Sequence, residues 1–410
     1  MKKLFNFIKI YAFLFALFLI FLSRLYFYNF PPPKQENFST TLLITQPIFI
    51  EENQVIIKSS NYTVKTYEFD QDTGMGDLIT VSGTRYYKTI YPDTIEYLGP
   101  SKLKPIFKIK SMFLSACNKM LVEPYSSLVN GMLFGTDPII SPRFKDQLIN
   151  TGVIHIIVVS GFNISILFAF VSKLLGKYNI KIKTLVASVL VIIYCLVVGL
   201  EPPVLRALVM GLMVGYARAF GYAKNVLYIL LVTSLFMLIY NPVYIINVSF
   251  LLTVTASLGL IILSESFSNL CNTLKIFNKF PALIKESITS SFVAQIYVLP
   301  LLAYFFGRIS LVGFIVNPVV IWVVPFVMLI SFVFICLYLL GIGQILSPFL
   351  FVLYTPLMFF VDVVTSMTYI PTSSISISIN TYGLIIYYVL IAVFSYTVIK
   401  VDRKLIRGND

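Results

Sequence analysis

Apolar and polar positions alternate on two scales along this chain. From about residue 150 to residue 400, apolar stretches of roughly 17 to 25 residues follow one another, each long enough to cross a hydrocarbon core of about 30 Å. Between about residues 38 and 100 the runs are short and rich in β-branched and aromatic residues: TLLITQPIFI, NQVIIKSS, YTVKTYEF, DLITVSG and TRYYKTIYPDTIEYLG. Turn residues such as Glu52-Asn53 and Gly74-Met75-Gly76 separate them. The pattern predicts a polytopic α-helical membrane protein with a small extracytoplasmic β domain near its N-terminus. Five such strands suit a small barrel of the OB type, or a sandwich. Candidate spans fall at about 5–23, 153–172, 184–200, 203–220, 226–240, 243–263, 288–306, 310–340, 345–368 and 382–399, about ten in all.

The two scales divide the chain into five parts. Residues 1–30 form an N-terminal signal-anchor helix: Lys2, Lys3 and Lys9 precede an apolar stretch that has no small-residue cleavage site. Residues 31–101 form the β domain, entered through the stiff Pro31-Pro32-Pro33 spacer. Residues 102–124 are an amphipathic connecting helix, with Ile106, Phe107, Ile109, Phe113, Leu114 and Met120 set among Lys104, Lys108, Lys110 and Lys119. Such a helix either lies on an anionic bilayer surface or packs on the β domain. Residues 125–400 form the membrane domain, and 401–410 a basic tail.

Composition and charge sharpen this picture. Hydrophobic residues make up 58% of the chain and charged residues 12%, with a mean hydropathy of +0.88. A soluble domain carries about 25% charged residues. The net charge of +13 reads chiefly as a topology signal. With the start inside, Lys173, Lys177, Lys181 and Lys183 fall in one cytoplasmic loop, Arg218 and Lys224 in a second, and Lys275, Lys279 and Lys285 in a third. The tail residues Lys400, Arg403, Lys404 and Arg407 also end inside, which gives an even span count. The expected location is the bacterial cytoplasmic membrane, with both termini cytoplasmic and the β domain outside.

Polar residues inside the spans are the candidates for function. His155, the only histidine, opens an apolar run that holds Ser160, Gly161 and Asn163. Arg206 lies about one turn into a helix that begins at Pro202-Pro203, where it either snorkels to the interface or faces a path. Asn247, Ser249 and Gln295 can bind helices together. Alongside His155, Ser160 and Asn163 they point instead to a polar interior. The segment 310–340, broken by Asn317-Pro318 and Pro325, is either a re-entrant half-helix or a kinked span. SSLVNGMLFG, after Tyr125, is too short to cross. Cys117, Cys195, Cys271 and Cys336 have no ligand spacing, and one histidine cannot complete a zinc shell, so neither a metal nor a cofactor is expected.

These residues resemble the ComEC family of bacterial competence proteins, inner-membrane channels for transforming single-stranded DNA. Gly131 to Gly135, with Phe144 and Gly152, resembles the family's GLLLG-type opening, and His155 with Ser160-Gly161 its H-L-L-(A/V)-(I/L)-S-G core. Pro203-Val204-Leu205-Arg206-Ala207 resembles the P-x-x-R-A helix. Asn241-Pro242 and Val248-Ser249-Phe250-Leu251 resemble the P…QLSF helix, and Gln295, Pro300 and Asn317 fit later motifs. Gly76-Asp77 to Gly83 is similar to a GD-(hydrophobic)-V-x-G strand of the family's OB-like domain. Asn163 stands where the family usually has histidine, and Val248 where it has glutamine. The chain reads as a short form without the metallo-β-lactamase-like domain that many members carry.

The resemblance implies a channel for DNA uptake without chemistry of its own. His155, Ser160, Gly161, Asn163, Arg206, Gln295 and Asn317 would lie along the path. Gly131, Gly135, Gly152, Pro203, Gly76 and Asp77 would hold the structure. Partners implied are single-stranded DNA, membrane lipids, a DNA receptor and a cytoplasmic DNA translocase, since the chain has no Walker-type loop; a homo-oligomer is compatible. A transporter of a small or lipidic solute, or a non-transporting scaffold, are the alternatives.

Overall fold

The computed structural model describes residues 2–28, 34–51, 54–59, 62–67, 69, 73–136, 141–157, 161–222, 225–273, 277–343, 347–370 and 373–408. Helix α1 (Lys2–Tyr26) leads into β1 (Lys34–Leu43), β2 (Phe49–Glu51), β3 (Gln54–Lys58), β4 (Thr63–Thr66), β5 (Asp77–Tyr86) and β6 (Thr89–Pro100). These form one sheet in the order β1-β5-β6-β4-β3-β2. Strict alternation along β5 turns Ile79 and Val81 inward, onto Leu42, Ile44, Ile57, Val64 and Ile90. A Cβ at Gly83 would lie 2.3 Å from the Tyr91 carbonyl oxygen, so glycine lets β5 and β6 cross closely there.

The sequence suggests five strands in a barrel of the OB type or a sandwich; among the described residues there are six, in one sheet that does not close. Strand lengths supply a physical reason. β1, β5 and β6 run 10 to 12 residues, whereas β2, β3 and β4 run 3 to 5, and a closed barrel needs strands of matched length and stagger. The parallel pairing of β4 with β6 covers only Thr63–Thr89 and Val64–Ile90, after which the two strands part.

Helix α2 (Lys104–Met120) docks on the β domain through Gly76, whose φ of +90° and missing Cβ admit the Lys104 backbone. Buried Asp77 accepts from Lys104 Nζ at 2.7 Å through Oδ1 and from the Gly74 amide at 3.0 Å through Oδ2. Of the two placements open for the connecting helix, it thus takes the one packed on protein. Next come α3 (Tyr125–Phe134), α4 (Pro142–Asn150), α5 (Ile154–Ile157), α6 (Gly161–Leu174), α7 (Ile180–Val198), α8 (Pro202–Ala219), α9 (Val226–Tyr240), α10 (Val248–Asn272) and α11 (Ala282–Phe306). The chain ends with β7 (Arg308–Ser310), α12 (Gly313–Ile321), α13 (Val324–Leu337), α14 (Leu350–Thr368), β8 (Ser374–Ser376) and α15 (Thr381–Gly408).

Six described helices are long and apolar enough to cross a membrane: Ile180–Val198, Val248–Asn272, Ile284–Phe306, Val324–Ile342, Leu350–Thr368 and Thr381–Leu405. Phe13–Tyr26 and Val226–Tyr240 are apolar but shorter. Within the expected span 153–172, Ile154–Ile157 and Gly161–Leu174 are helical, and residues 158–160 lie outside the described residues. The segment 310–340 is a kinked helix rather than an unwound one. Trp322 and Val323 keep right-handed helical dihedrals between α12 and α13, and Pro325 lacks the N–H that would bond Ile321.

The largest apolar cluster lies where α2, α3, α4, α12, α13 and α14 meet. Every residue of α3 from Ser126 to Phe134 is buried within the protein. Ile164, Val191, Cys195, Val198 and Val204 join α6, α7 and α8 in a second cluster, and α10, α11 and α15 share a third.

Candidate functional site

The C-terminal end of α3 is the hub of the candidate site. A helix leaves its last four carbonyls without internal partners, and burial makes them costly unless side chains supply donors. Here three elements do so. Asn163 of α6 donates from Nδ2 to the Met132 oxygen at 2.9 Å, and Tyr194 of α7 donates its hydroxyl to the Leu133 oxygen at 2.8 Å. Gln46 of the β domain donates from Nε2 to the Gly135 oxygen at 3.0 Å. Gly135 closes the helix at φ +60°, the left-handed cap that glycine tolerates best, and its amide bonds the Gly131 oxygen. The Gly131–Gly135 motif is thus a buried helix end capped by Asn163, which is 1% exposed and has that amide donor committed to packing.

Arg206 sits beside the start of α6. Pro202 and Pro203 open α8, where a missing N–H costs nothing, and place Arg206 one turn in. A Cβ on Gly161 would lie 3.0 Å from Arg206 Nη2 and 3.1 Å from Ala207 Cβ, so the small residue lets the guanidinium rest on the first residue of α6. Arg206 Nε is buried and has no hydrogen-bond partner among the described residues. A guanidinium with a buried N–H that no described residue accepts makes this spot electrostatically complementary to an anion.

His155 lies on α5. Its side chain is exposed, and its ring hydrogen-bonds the Gly152 backbone. Gly152, at φ +71°, places the chain against β7: a Cβ there would be 3.0 Å from the Ser310 Cβ. Gly313 continues the seam, with its missing Cβ 3.2 Å from the Thr151 oxygen and 3.4 Å from Gln295 Oε1. Gln295 donates to the Gly313 oxygen at 3.0 Å and to Ser291 Oγ at 3.1 Å. β7 pairs with β8, and Ser374 of β8 donates to Asn150 Oδ1 at the end of α4. Asn317 is 3% exposed on α12, and its Oδ1 has no partner among the described residues.

The residues expected along a path therefore fall into two groups. Gly161, Asn163 and Arg206 gather where α6, α8 and the end of α3 meet. Gln295, Gly313 and Gly152 form a seam that carries the α5 loop bearing His155. Asn317 stands apart on α12, and Ser160 lies outside the described residues.

Lys110, one of the lysines of residues 102–110 expected from the sequence to contact phosphates, is instead fully buried and donates from Nζ to the Thr45 oxygen at 3.2 Å and the Val197 oxygen at 3.1 Å. Its signal was helical spacing: Phe107, Lys110, Leu114 and Cys117 follow one buried stripe of α2. Burial depresses its pKa to about 8. The Tyr194 cap was missed, for want of any local signal. Among the described residues, no group of three or more His, Cys, Asp or Glu side chains is placed to share a metal ion.

Residues 132–401 match the family model described as "Competence: Competence protein". The chain belongs to this competence protein family. It is similar to ComE operon protein 3 of Bacillus subtilis (strain 168), 24% identical over 231 residues. That stretch is 54% of this chain but 27% of the relative, so the chain matches only about a quarter of that protein's length. No solved structure matches. The match places the capped α3 end, Arg206 and the Gln295 seam all inside the competence domain.

Proposed function

We propose that this ComEC-type protein passes a single DNA strand across the bacterial cytoplasmic membrane during competence. The observation that carries this reading is the Arg206 guanidinium packed against Gly161 of α6, with its buried Nε unmatched among the described residues. A cation kept among apolar helices suits transient contact with phosphates. Accessible His155 and the Gln295–Gly313 seam supply further polar surface. Family membership supports the substrate class.

On this reading the chain crosses about ten times, with both termini in the cytoplasm. The β domain, an open relative of the OB barrel, lies outside, and a DNA receptor delivers the strand there. A cytoplasmic translocase pulls it through, and the channel itself performs no covalent chemistry. Phosphate contacts make strand binding weaken steeply with salt. The test is transformation in a deletion strain restored with wild type, Arg206→Ala or His155→Ala, with membrane levels matched. Restoration by wild type and reduced transformation with Arg206→Ala is the expected result. Transformation at the parental level in the deletion strain, with no paralogue present, overturns the reading.

A further inference from the structure

Where β4 and β6 part after Val64 and Ile90, the open sheet leaves a cleft of about 690 Å³ on the β domain. Ile79 forms part of its floor, and Tyr67, Phe69 and Tyr97 supply aromatic surface. Asp93, Thr66, Thr73 and Thr94 add a carboxylate and hydroxyls, and Pro92 and Ile95 complete the lining. The volume falls within the ordinary range of a ligand site.

Tyr67 is held by a hydrogen bond, and Tyr97 lies near Asp77. Gln54 donates from Nε2 to the Tyr67 hydroxyl at 2.8 Å, and the Tyr97 hydroxyl reaches Asp77 Oδ1 at 3.5 Å. Both remain exposed, Tyr67 at 73% and Tyr97 at 51%. Fixed aromatic rings with an open face give contact area at low entropic cost.

Charge decides what such a cleft takes. No lysine or arginine lines it among the described residues, and its one ionisable acid is Asp93. Lys104, which shares Asp77 with Tyr97, has its charge offset by that carboxylate. A polyanion would meet repulsion here without counter-charges to offset it. Aromatic faces, hydroxyls and a lone carboxylate instead match the CH faces and hydroxyls of sugar rings, a ligand class that open barrel folds also take.

We propose that this cleft binds an uncharged glycan chain, a subsite separate from the DNA path. A β domain that grips a neutral polysaccharide would anchor the membrane protein to a surrounding glycan layer without competing for the strand. The proposal does not depend on the transport reading.

The test uses the full chain in lipid nanodiscs, since sugar-headed detergents would compete. Chitotetraose, a neutral N-acetylglucosamine tetramer, is titrated calorimetrically, and a single-stranded oligonucleotide is titrated separately. Expected is weak glycan binding, with a Kd on the order of 0.1–1 mM that is unchanged by added salt. Tyr67→Ala and Tyr97→Ala, both at exposed positions, should each weaken it by about tenfold, roughly 1.4 kcal/mol. Asp93→Lys should weaken it as well. Absence of chitotetraose binding, or binding indifferent to both tyrosine variants, overturns the proposal. Salt-sensitive oligonucleotide binding that the same variants abolish would give the cleft to nucleic acid and equally overturn it. Transformation remains a separate readout, so failure here leaves the transport reading standing or falling on its own test.

Discussion

The Lys110 ammonium donates to the Val197 carbonyl oxygen, 3.1 Å away at the C-terminal end of α7, while also bonding Thr45 of the β domain. One side chain thus joins the sheet, the connecting helix and a candidate span. A helix C-terminus carries negative potential and free carbonyls, so a cation there is doubly favoured. Lys110→Ala leaves both acceptors unmade and removes the packed stem, whereas Lys110→Met keeps the stem. The expected cost of losing those bonds is about 1–3 kcal/mol in docking of the β domain. Hydrogen exchange should rise in peptides holding Thr45 and Val197, and more in the alanine variant. Unchanged exchange at both sites would show that the two bonds do not hold the domains together.

The same lysine gives a pH dependence of defined sign. Burial lowers its pKa from the ordinary 10.5 to about 8 in the folded protein. Between those values the unfolded chain binds more protons than the folded one, so this group's contribution to stability rises with pH. It is fully present above about 10.5 and is lost as pH falls through about 8. Thermal unfolding in nanodiscs at pH 7.5 and 9.5 should therefore show wild type gaining on Lys110→Met at the higher pH. An equal shift in both proteins would refute the assignment.

The caps on α3 predict a packing defect rather than a changed path. Asn163→Ala frees the Met132 carbonyl and Tyr194→Phe frees the Leu133 carbonyl, in a helix buried along its length. Each should lower stability by about 1–3 kcal/mol, read as a fall in thermal midpoint. Because both bonds hold the same helix end, the double variant should fall short of the sum. Strict additivity would mean that the two caps act independently.

How much of this was legible beforehand depends on the range over which each residue acts. β5 and the long spans announced themselves, because alternation and apolar length are local properties. Buried Lys110 was legible in principle from its place on the Phe107–Leu114–Cys117 stripe, but charge and burial point in opposite directions, and spacing alone does not name its acceptors. Asn163 stands out in the sequence as a path candidate because it is polar among Ile and Phe. Only the fold reveals that its amide serves the Met132 carbonyl, 31 residues away. Sheet closure was not legible either, since it depends on how six strand lengths match rather than on any single strand.

Gly161 separates two explanations of the Arg206 site. An added Cβ would sit 3.0 Å from Nη2 and 3.1 Å from Ala207 Cβ, so Gly161→Ala must displace the guanidinium, the neighbouring helix or both. If α6–α8 packing is what matters, the second change Ala207→Gly relieves the crowding and restores transformation. If the guanidinium position is what matters, the double variant stays defective, because the clash with Nη2 remains. The expected outcome is a several-fold fall in transformation for Gly161→Ala at matched membrane levels, with little recovery in the double variant. Full recovery would assign Gly161 to helix packing and remove Arg206 from the path.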